Sequence, residues 1–193
     1  MVHGLTTHLR RHAVAYLALF IALSGTAYAA GLPRNSVGTA QLKDRSVTAL
    51  KLGRLPAVSA YTPSDEQQLA DGQFAAVALQ QEHFDTARMH SPDSPTRIVA
   101  PLNGTYVVQA TAHFSGGTCG GPPRVVLIQR HSRNNRIDVD HVNSDTRCNE
   151  LTRVHAGAVV RLRAGDYLEL MALQRSSPLV GVGGTMSVAY LGG

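Results

Sequence analysis

The side chains able to do chemistry in this chain of 193 residues are few and widely spread. Asp138 and Asp140, with Asp145 close behind, offer carboxylate oxygens of the kind calcium takes. Residues two apart on a strand share a face, so the expectation is one solvated face, either free or holding calcium. The same pair lacks the opposed geometry of hydrolytic carboxylates, which must flank a bond from two sides. A metal enzyme on a β scaffold needs several ligands converging on one ion. His131, His141 and His155 stand in separate segments, and no His-x-His pair occurs. The Gly-x-Ser-x-Gly turn that presents a nucleophilic serine is absent. Gly116-Gly117-Thr118-Cys119-Gly120-Gly121 lacks the Gly-Lys-Ser/Thr ending of a phosphate loop. No catalytic residue and no cofactor are assigned, calcium at Asp138, Asp140 and Asp145 being the one ion the carboxylates admit.

Cys119 and Cys148 are the only cysteines. An even count in an exported chain favours one intramolecular disulfide, and both flanks are rich in Gly, Asn, Ser and Asp, so the bridge would tie two loops. Two free thiols, or a metal pair lacking its other ligands, are the alternatives.

Export is read from the N-terminus. Arg10 and Arg11 form a basic region, an apolar run covers residues 13–23, and small residues end at Ala27-Tyr28-Ala29. The run is well short of the roughly twenty residues that a spanning helix needs. Cleavage after Ala29 is expected, which makes the protein secreted or cell-surface associated; a membrane contact arises only if the leader is kept as an anchor. The formal net charge is +5, of which Arg10 and Arg11 supply two. What remains is scattered, with Lys43 and Lys51 the only lysines and no tryptophan, so no basic and aromatic stripe suited to nucleic acid exists.

The elements that must position these residues fall into three parts: a signal peptide at 1–29, a linker or stalk at 30–72, and a folded domain at 73–193. In the stalk, Ser36-Val37 followed by Leu42 returns as Ser46-Val47 followed by Leu52. That spacing fits neither a helix nor a strand, and two copies are too few for a solenoid core, so the segment reads as a spacer or as a piece that pairs with other chains. Residues 57–72 are polar and turn-rich, the expected edge of the domain. Beyond them come about eight short strands divided by turn residues: 74–79, 97–100, 106–114, 124–130, 136–142, 156–162, 167–174 and 185–191. Tyr106, Val108, Ala110, Ala112 and Phe114 alternate with Val107, Gln109, Thr111 and His113, predicting one buried and one mixed face. In the strand at 167–173, Leu168, Leu170 and Ala172 fill one face. Tyr167, Met171 and Leu173 make the other face apolar as well, interrupted by Glu169, which predicts a cover over that face: another subunit, or a loop of the same chain.

Three segments resemble the globular domain of the C1q and tumour-necrosis-factor superfamily. Pro101-Leu102-Asn103-Gly104-Thr105-Tyr106 is similar to its Pro-x-x-Gly-x-Tyr strand opening, Leu162-Arg163-Ala164-Gly165-Asp166 to its Leu-x-x-Gly-Asp hairpin, and Tyr190-Leu191 to its closing strand. The resemblance implies an all-β jelly-roll sandwich that forms trimers; the second apolar face of the 167–173 strand, with Tyr167, Met171 and Leu173, is the expected oligomer interface. It departs from that family in having no Gly-x-y tract before the domain and no evident calcium cluster. The leader and the 32–42 segment resemble exported proteins of actinobacterial, high-GC Gram-positive type. The expected function is a secreted or cell-surface, non-catalytic binding or adhesion module, a homotrimer recognising a glycan or protein, with no nucleic-acid partner. The alternatives are a structural surface component and a metal-dependent jelly-roll enzyme.

Overall fold

Tyr106, Val108, Ala112 and Phe114 are fully buried and Ala110 is 4% exposed, so the period-2 alternation of this stretch becomes the inner face of a sheet. The computed structural model describes residues 12–23, 36–48, 51, 53–63, 67–116, 122–133, 135–144, 151–175 and 179–193. Two units result, Met1–Leu52 and Gly53–Gly193.

In the first unit, residues 12–23 are helical with exposed side chains, and no helix among the described residues is long and apolar enough to cross a membrane. The repeat forms a single 3-10 turn at Thr39–Gln41, closed where Gly38 N–H donates to Gln41 Oε1 at 2.9 Å. Val37, Leu42 and Val47 are all about half exposed, so no core forms around them among the described residues. The expected cleavage site at Ala27-Tyr28-Ala29 and the repeat's Leu52 lie outside the described residues.

The second unit is an all-β jelly-roll sandwich. Its strands are β1 (Ala57–Tyr61), β2 (Gln67–Ala70), β3 (Ala75–Ala76), β4 (Gln81–Asp85), β5 (Arg97–Val99), β6 (Gly104–Ser115), β7 (Arg124–Ser132), β8 (Asn135–Ser144), β9 (Thr152–Leu162), β10 (Tyr167–Leu173) and β11 (Leu179–Gly192). One sheet has the order β4-β1-β11-β6-β9, with β2 also pairing β11, and the other the order β3-β10-β7-β8, with β5 also pairing β10. Every named strand pairing is antiparallel. Val58, Val108, Val154, Met186 and Val188 from the first sheet meet Val126, Ile128, Leu168, Leu170 and Ala172 from the second in one core. Each such large apolar side chain contributes about 1.5–3 kcal/mol on burial.

The domain begins earlier than residue 73. Residues 57–61, expected to belong to a polar boundary, form β1 and pair with β11 from Ala57↔Ala189 to Tyr61↔Thr185, with Val58 and Ala60 fully buried. The expected strand at 74–79 reduces to β3, although Val77 and Leu79 remain fully buried.

The two turn motifs stand where β6 begins and where the chain passes from β9 to β10. The Tyr106 hydroxyl donates to the Leu102 carbonyl at 2.9 Å, and the Tyr106 and Tyr190 rings meet edge-on with centroids 5.2 Å apart. Burial pushes the Tyr106 phenol above its ordinary pKa; the bond to Leu102 works against that shift, and the neighbouring Tyr190 adds to it. The expected Leu-x-x-Gly-Asp hairpin is instead a turn that carries the chain from β9 in the first sheet to β10 in the second, two strands that do not pair. There Gly165 takes φ +89° and its N–H donates to the Ala100 carbonyl, while Ala100 N–H donates to the Asp166 carbonyl. The Asp166 carboxylate accepts Arg163 N–H at 3.0 Å and closes the turn.

Candidate functional site

The alternation of β10 directs Leu168, Leu170 and Ala172 into the core and Tyr167, Glu169, Met171 and Leu173 to the outer face of the second sheet. Tyr167 stacks on His131, its cross-strand partner, and the Arg97 guanidinium lies 4.7 Å from the Tyr167 ring centre. Glu169, 8% exposed, accepts from Thr96 Oγ1 at 3.0 Å and Arg97 Nε at 3.4 Å. His131 Nε2 lies 2.9 Å from Glu169 Oε2, an ion-pair distance whose approach is off the direction of a well-formed hydrogen bond. Burial pushes the His131 pKa down; Glu169 opposes the shift, and Arg136 and Arg97 reinforce it.

Much of this face is closed by the chain itself. Leu173 and its neighbour Leu127 are 5% and 4% exposed without a partner subunit. Met171 is half-buried beside a shallow cavity of about 370 Å³ that it shares with Phe74, Leu127 and Asp138. Of the three residues expected at an oligomer interface, Leu173 is buried within the subunit and Tyr167 is held by His131 and Arg97, leaving Met171 as the open member, with Phe74 and Val99 exposed on the same face.

The two aspartates do not share a face. The β7 and β8 register shifts between Ile128 and Gln129, so Asp140 stands opposite core-facing Ile128 and Asp138 opposite outward-facing Gln129. Such a bulge turns residues two apart to opposite sides. Asp138 Oδ1 accepts from Gln129 Nε2 at 2.8 Å, whereas Asp140 Oδ2 accepts Gly157 N–H from the other sheet at 2.7 Å. Asp145, the third calcium candidate, lies outside the described residues, and among those described no group of three His, Cys, Asp or Glu side chains is placed to hold a metal. His131, His141 and His155 are likewise kept apart: His141 Nε2 meets Asn143 Oδ1 at 3.1 Å and His155 Nδ1 meets Thr111 Oγ1 at 2.8 Å.

Cys119 and Cys148 lie outside the described residues. The strands around them are informative, because Phe114 pairs with Thr152 and Arg124 with Ser144. Both cysteine-bearing loops therefore leave the same end of the sandwich. There the fully buried Arg124 donates to the Phe114 carbonyl at 3.3 Å and to the Gly116 carbonyl, with its guanidinium 5.2 Å from the Phe114 ring centre. Burial holds the Arg124 pKa below the usual arginine range.

The outer face of the first sheet holds an apolar row that its sequence pattern hides. Ala57 pairs with Ala189, Ala189 with Val107, and Val107 with Val159, so four apolar side chains stand abreast across β1, β11, β6 and β9. Phe84, 51% exposed, flanks the row from β4, and Val159 is 65% exposed. A groove of about 270 Å³ runs between Phe84, Val107, Ala189 and Ser187 with no charged residue in its lining.

The fold is that of C1q and tumour-necrosis-factor domains. The chain is similar to the globular domain of zebrafish complement 1qA protein, with TM-score 0.57 and 15% identity over 72% of this chain and 98% of that one. It is similar to murine APRIL, with TM-score 0.55 and 12% identity over 72% of this chain and 100% of that one. Eiger TNF from S. frugiperda matches with TM-score 0.55 and 10% identity over 72% of this chain and 94% of that one. No family model matches the chain, and no curated protein matches it in sequence.

Proposed function

We propose that this protein is a non-catalytic binding module of the extracellular space that works as a homotrimer. The carrying observation is the apolar row from Ala57 through Ala189 and Val107 to Val159, with Phe84 beside it, left open on a sheet whose other face is the domain core. Covering Val107, Val159 and Phe84 supplies up to about 1.5–3 kcal/mol each when burial is complete, and the small alanines less. A second copy is the fitting occupant: the groove is uncharged, so it meets its own kind without stranding a charge, and the C1q and tumour-necrosis-factor likeness implies trimers. Because β10 already closes most of its outer face, assembly moves from that strand to the first sheet. The leader, with its basic region, apolar run and Ala27-Tyr28-Ala29 ending, supports export, and N-terminal sequencing of exported protein should begin at Ala30.

Sedimentation of the purified protein at micromolar concentration tests the assembly. Wild type should sediment as a trimer. Val107→Asp should give folded monomers, because closed symmetry brings copies of the new charge together on the uncharged row. Met171→Asp should leave the trimer intact. A monomeric wild type overturns the proposal, and loss of the trimer with Met171→Asp but not with Val107→Asp returns the interface to β10.

A further inference from the structure

At the end of the sandwich opposite the cysteine-bearing loops, the turns after β5, β7 and β9 enclose a cavity of about 850 Å³. Arg130, Arg133, Arg161 and Arg163 line it, and Asn103 and Ser132 add an amide and a hydroxyl. Among the described residues none of the four guanidinium groups is within ion-pair distance of a carboxylate. The one acid in the lining, Asp166, is 6% exposed and spends its carboxylate on Arg163 N–H. Arg130 is the telling member. It follows Val126 and Ile128 on the inward side of β7, where a further apolar residue would extend the core. Its Nη1 donates to the Arg161 carbonyl at 3.3 Å, but its Nε is buried with no partner. A buried donor on a cation is costly to leave unmade, and the side chain that carries it is one of those lining the basic cavity.

We propose that this cavity binds an oxyanion-bearing polysaccharide, a glycan polymer carrying sulfate, phosphate-ester or carboxylate groups. Planar guanidinium forks match such oxyanions with paired, charge-assisted hydrogen bonds, and the amide of Asn103 and hydroxyl of Ser132 suit sugar hydroxyls. The volume falls in the range of small-ligand sites, about 300–1,000 Å³, enough for a few sugar units of a longer chain. Nucleic acid fits less well, because the lining contains no aromatic ring on which a base could stack. The assignment names a ligand class for the binding role proposed above and rests on that role, but not on the trimer.

Binding is read by fluorescence anisotropy on the purified protein with four labelled oligosaccharides: heparin-type sulfated, polyglycerol phosphate, polygalacturonate and neutral dextran. At least one charged ligand should bind, dextran should not, and the affinity should fall steeply with salt. The ligand that binds identifies sulfate, phosphate or carboxylate as the source. Arg130→Gln and Arg133→Gln should each weaken binding roughly tenfold or more, whereas Arg88→Gln, an equal charge change at an exposed loop position elsewhere, should not. Arg133 is exposed, so its variant keeps the test valid if the Arg130 variant fails to fold. The proposal is overturned if no charged glycan binds above the dextran level, if Arg88→Gln weakens binding as much as the cavity variants, or if single-stranded DNA binds more tightly than every glycan. Sedimentation of the same samples separates the two proposals, since a monomer that still binds the charged glycan retires the assembly and leaves this site standing.

Discussion

The ring of Tyr167 lies flat on the ring of His131, with centroids 4.5 Å apart and planes 8° from parallel. That stack fixes His131 where burial disfavours its charged form, which Arg97 and Arg136 disfavour further and Glu169 only partly restores. The folded-state pKa is therefore lower than the ordinary histidine value of 6.5. Between the two values the unfolded chain binds more protons than the folded one, so stability rises with pH through that window and is lost as pH falls through it. Thermal melts should show the melting temperature dropping as pH is lowered from about 6.5. His131→Phe, which keeps the stack and removes the titration, should flatten that part of the profile; an unchanged slope would exclude His131 as its source.

Gly104 makes a second sharp prediction. Its φ is +155°, and a Cβ there would meet the Tyr190 ring at 2.4 Å and the Gly192 carbonyl at 2.5 Å. The first obstacle costs about 1–3 kcal/mol for a residue other than glycine, and the second must shift β11 away from β6. Gly104→Ala should lose at least about 2 kcal/mol in denaturant unfolding. Tyr106→Phe, which removes only the hydroxyl bonded to Leu102, should lose about 1 kcal/mol. If the two variants cost the same, the close packing against Tyr190 is not what the glycine serves.

The same pair shows what could be read from residues alone. Gly104, Tyr106, Gly165 and Asp166 were legible because turns and buried strands impose local rules: a positive φ needs glycine, and a period of two needs alternating apolar residues. β1 was not, because Ala57-Val58-Ser59-Ala60-Tyr61 is short, built of small residues and set between Pro56 and Pro63; its strand character comes from pairing with β11. β4 is hidden more deeply, since Gln81, Glu82, His83 and Phe84 are all exposed and only the partner strand makes them a strand. The apolar row was missed for a related reason. Val107, Val159 and Ala189 each look like the lesser face of an alternating strand, and only the register sets them abreast.

The β8 bulge separates two aspartates that sequence spacing had joined, and mutation should separate them again. Asp140 Oδ2 holds Gly157 N–H of β9 and so links the edges of the two sheets, while Asp138 is exposed and, among the described residues, bonded to Gln129 alone. Asp140→Ala should destabilise by about 1–3 kcal/mol, the cost of stranding a charge-assisted bond. Asp138→Ala should stay within about 0.5 kcal/mol of wild type. Equal losses in urea titrations would mean that the two carboxylates act on one face after all.

The last prediction concerns Cys119 and Cys148. The strands that bracket them are paired, Phe114 with Thr152 and Arg124 with Ser144, so the two loops spring from neighbouring points at one end of the sandwich. Cα atoms must come within roughly 4.4–6.8 Å for a bridge to close, and strands already in hydrogen-bonded register place the loop bases within reach of that distance. A disulfide between them closes a loop of about thirty residues, which in the chain-entropy account restricts the unfolded state by roughly 3–4 kcal/mol. Protein purified from the medium and unfolded without reductant should show no free thiol, and Cys148→Ser should lower stability by about 2–4 kcal/mol. Arg124, buried between the loop bases and bonded to the Phe114 and Gly116 carbonyls, makes a second readout available. If the bridge holds this end together, Arg124→Met should cost less in the oxidised protein than in the Cys148→Ser background, because the crosslink keeps β6 and β7 in place when the guanidinium bonds are gone. Quantitative labelling of both thiols in the exported protein would end the idea.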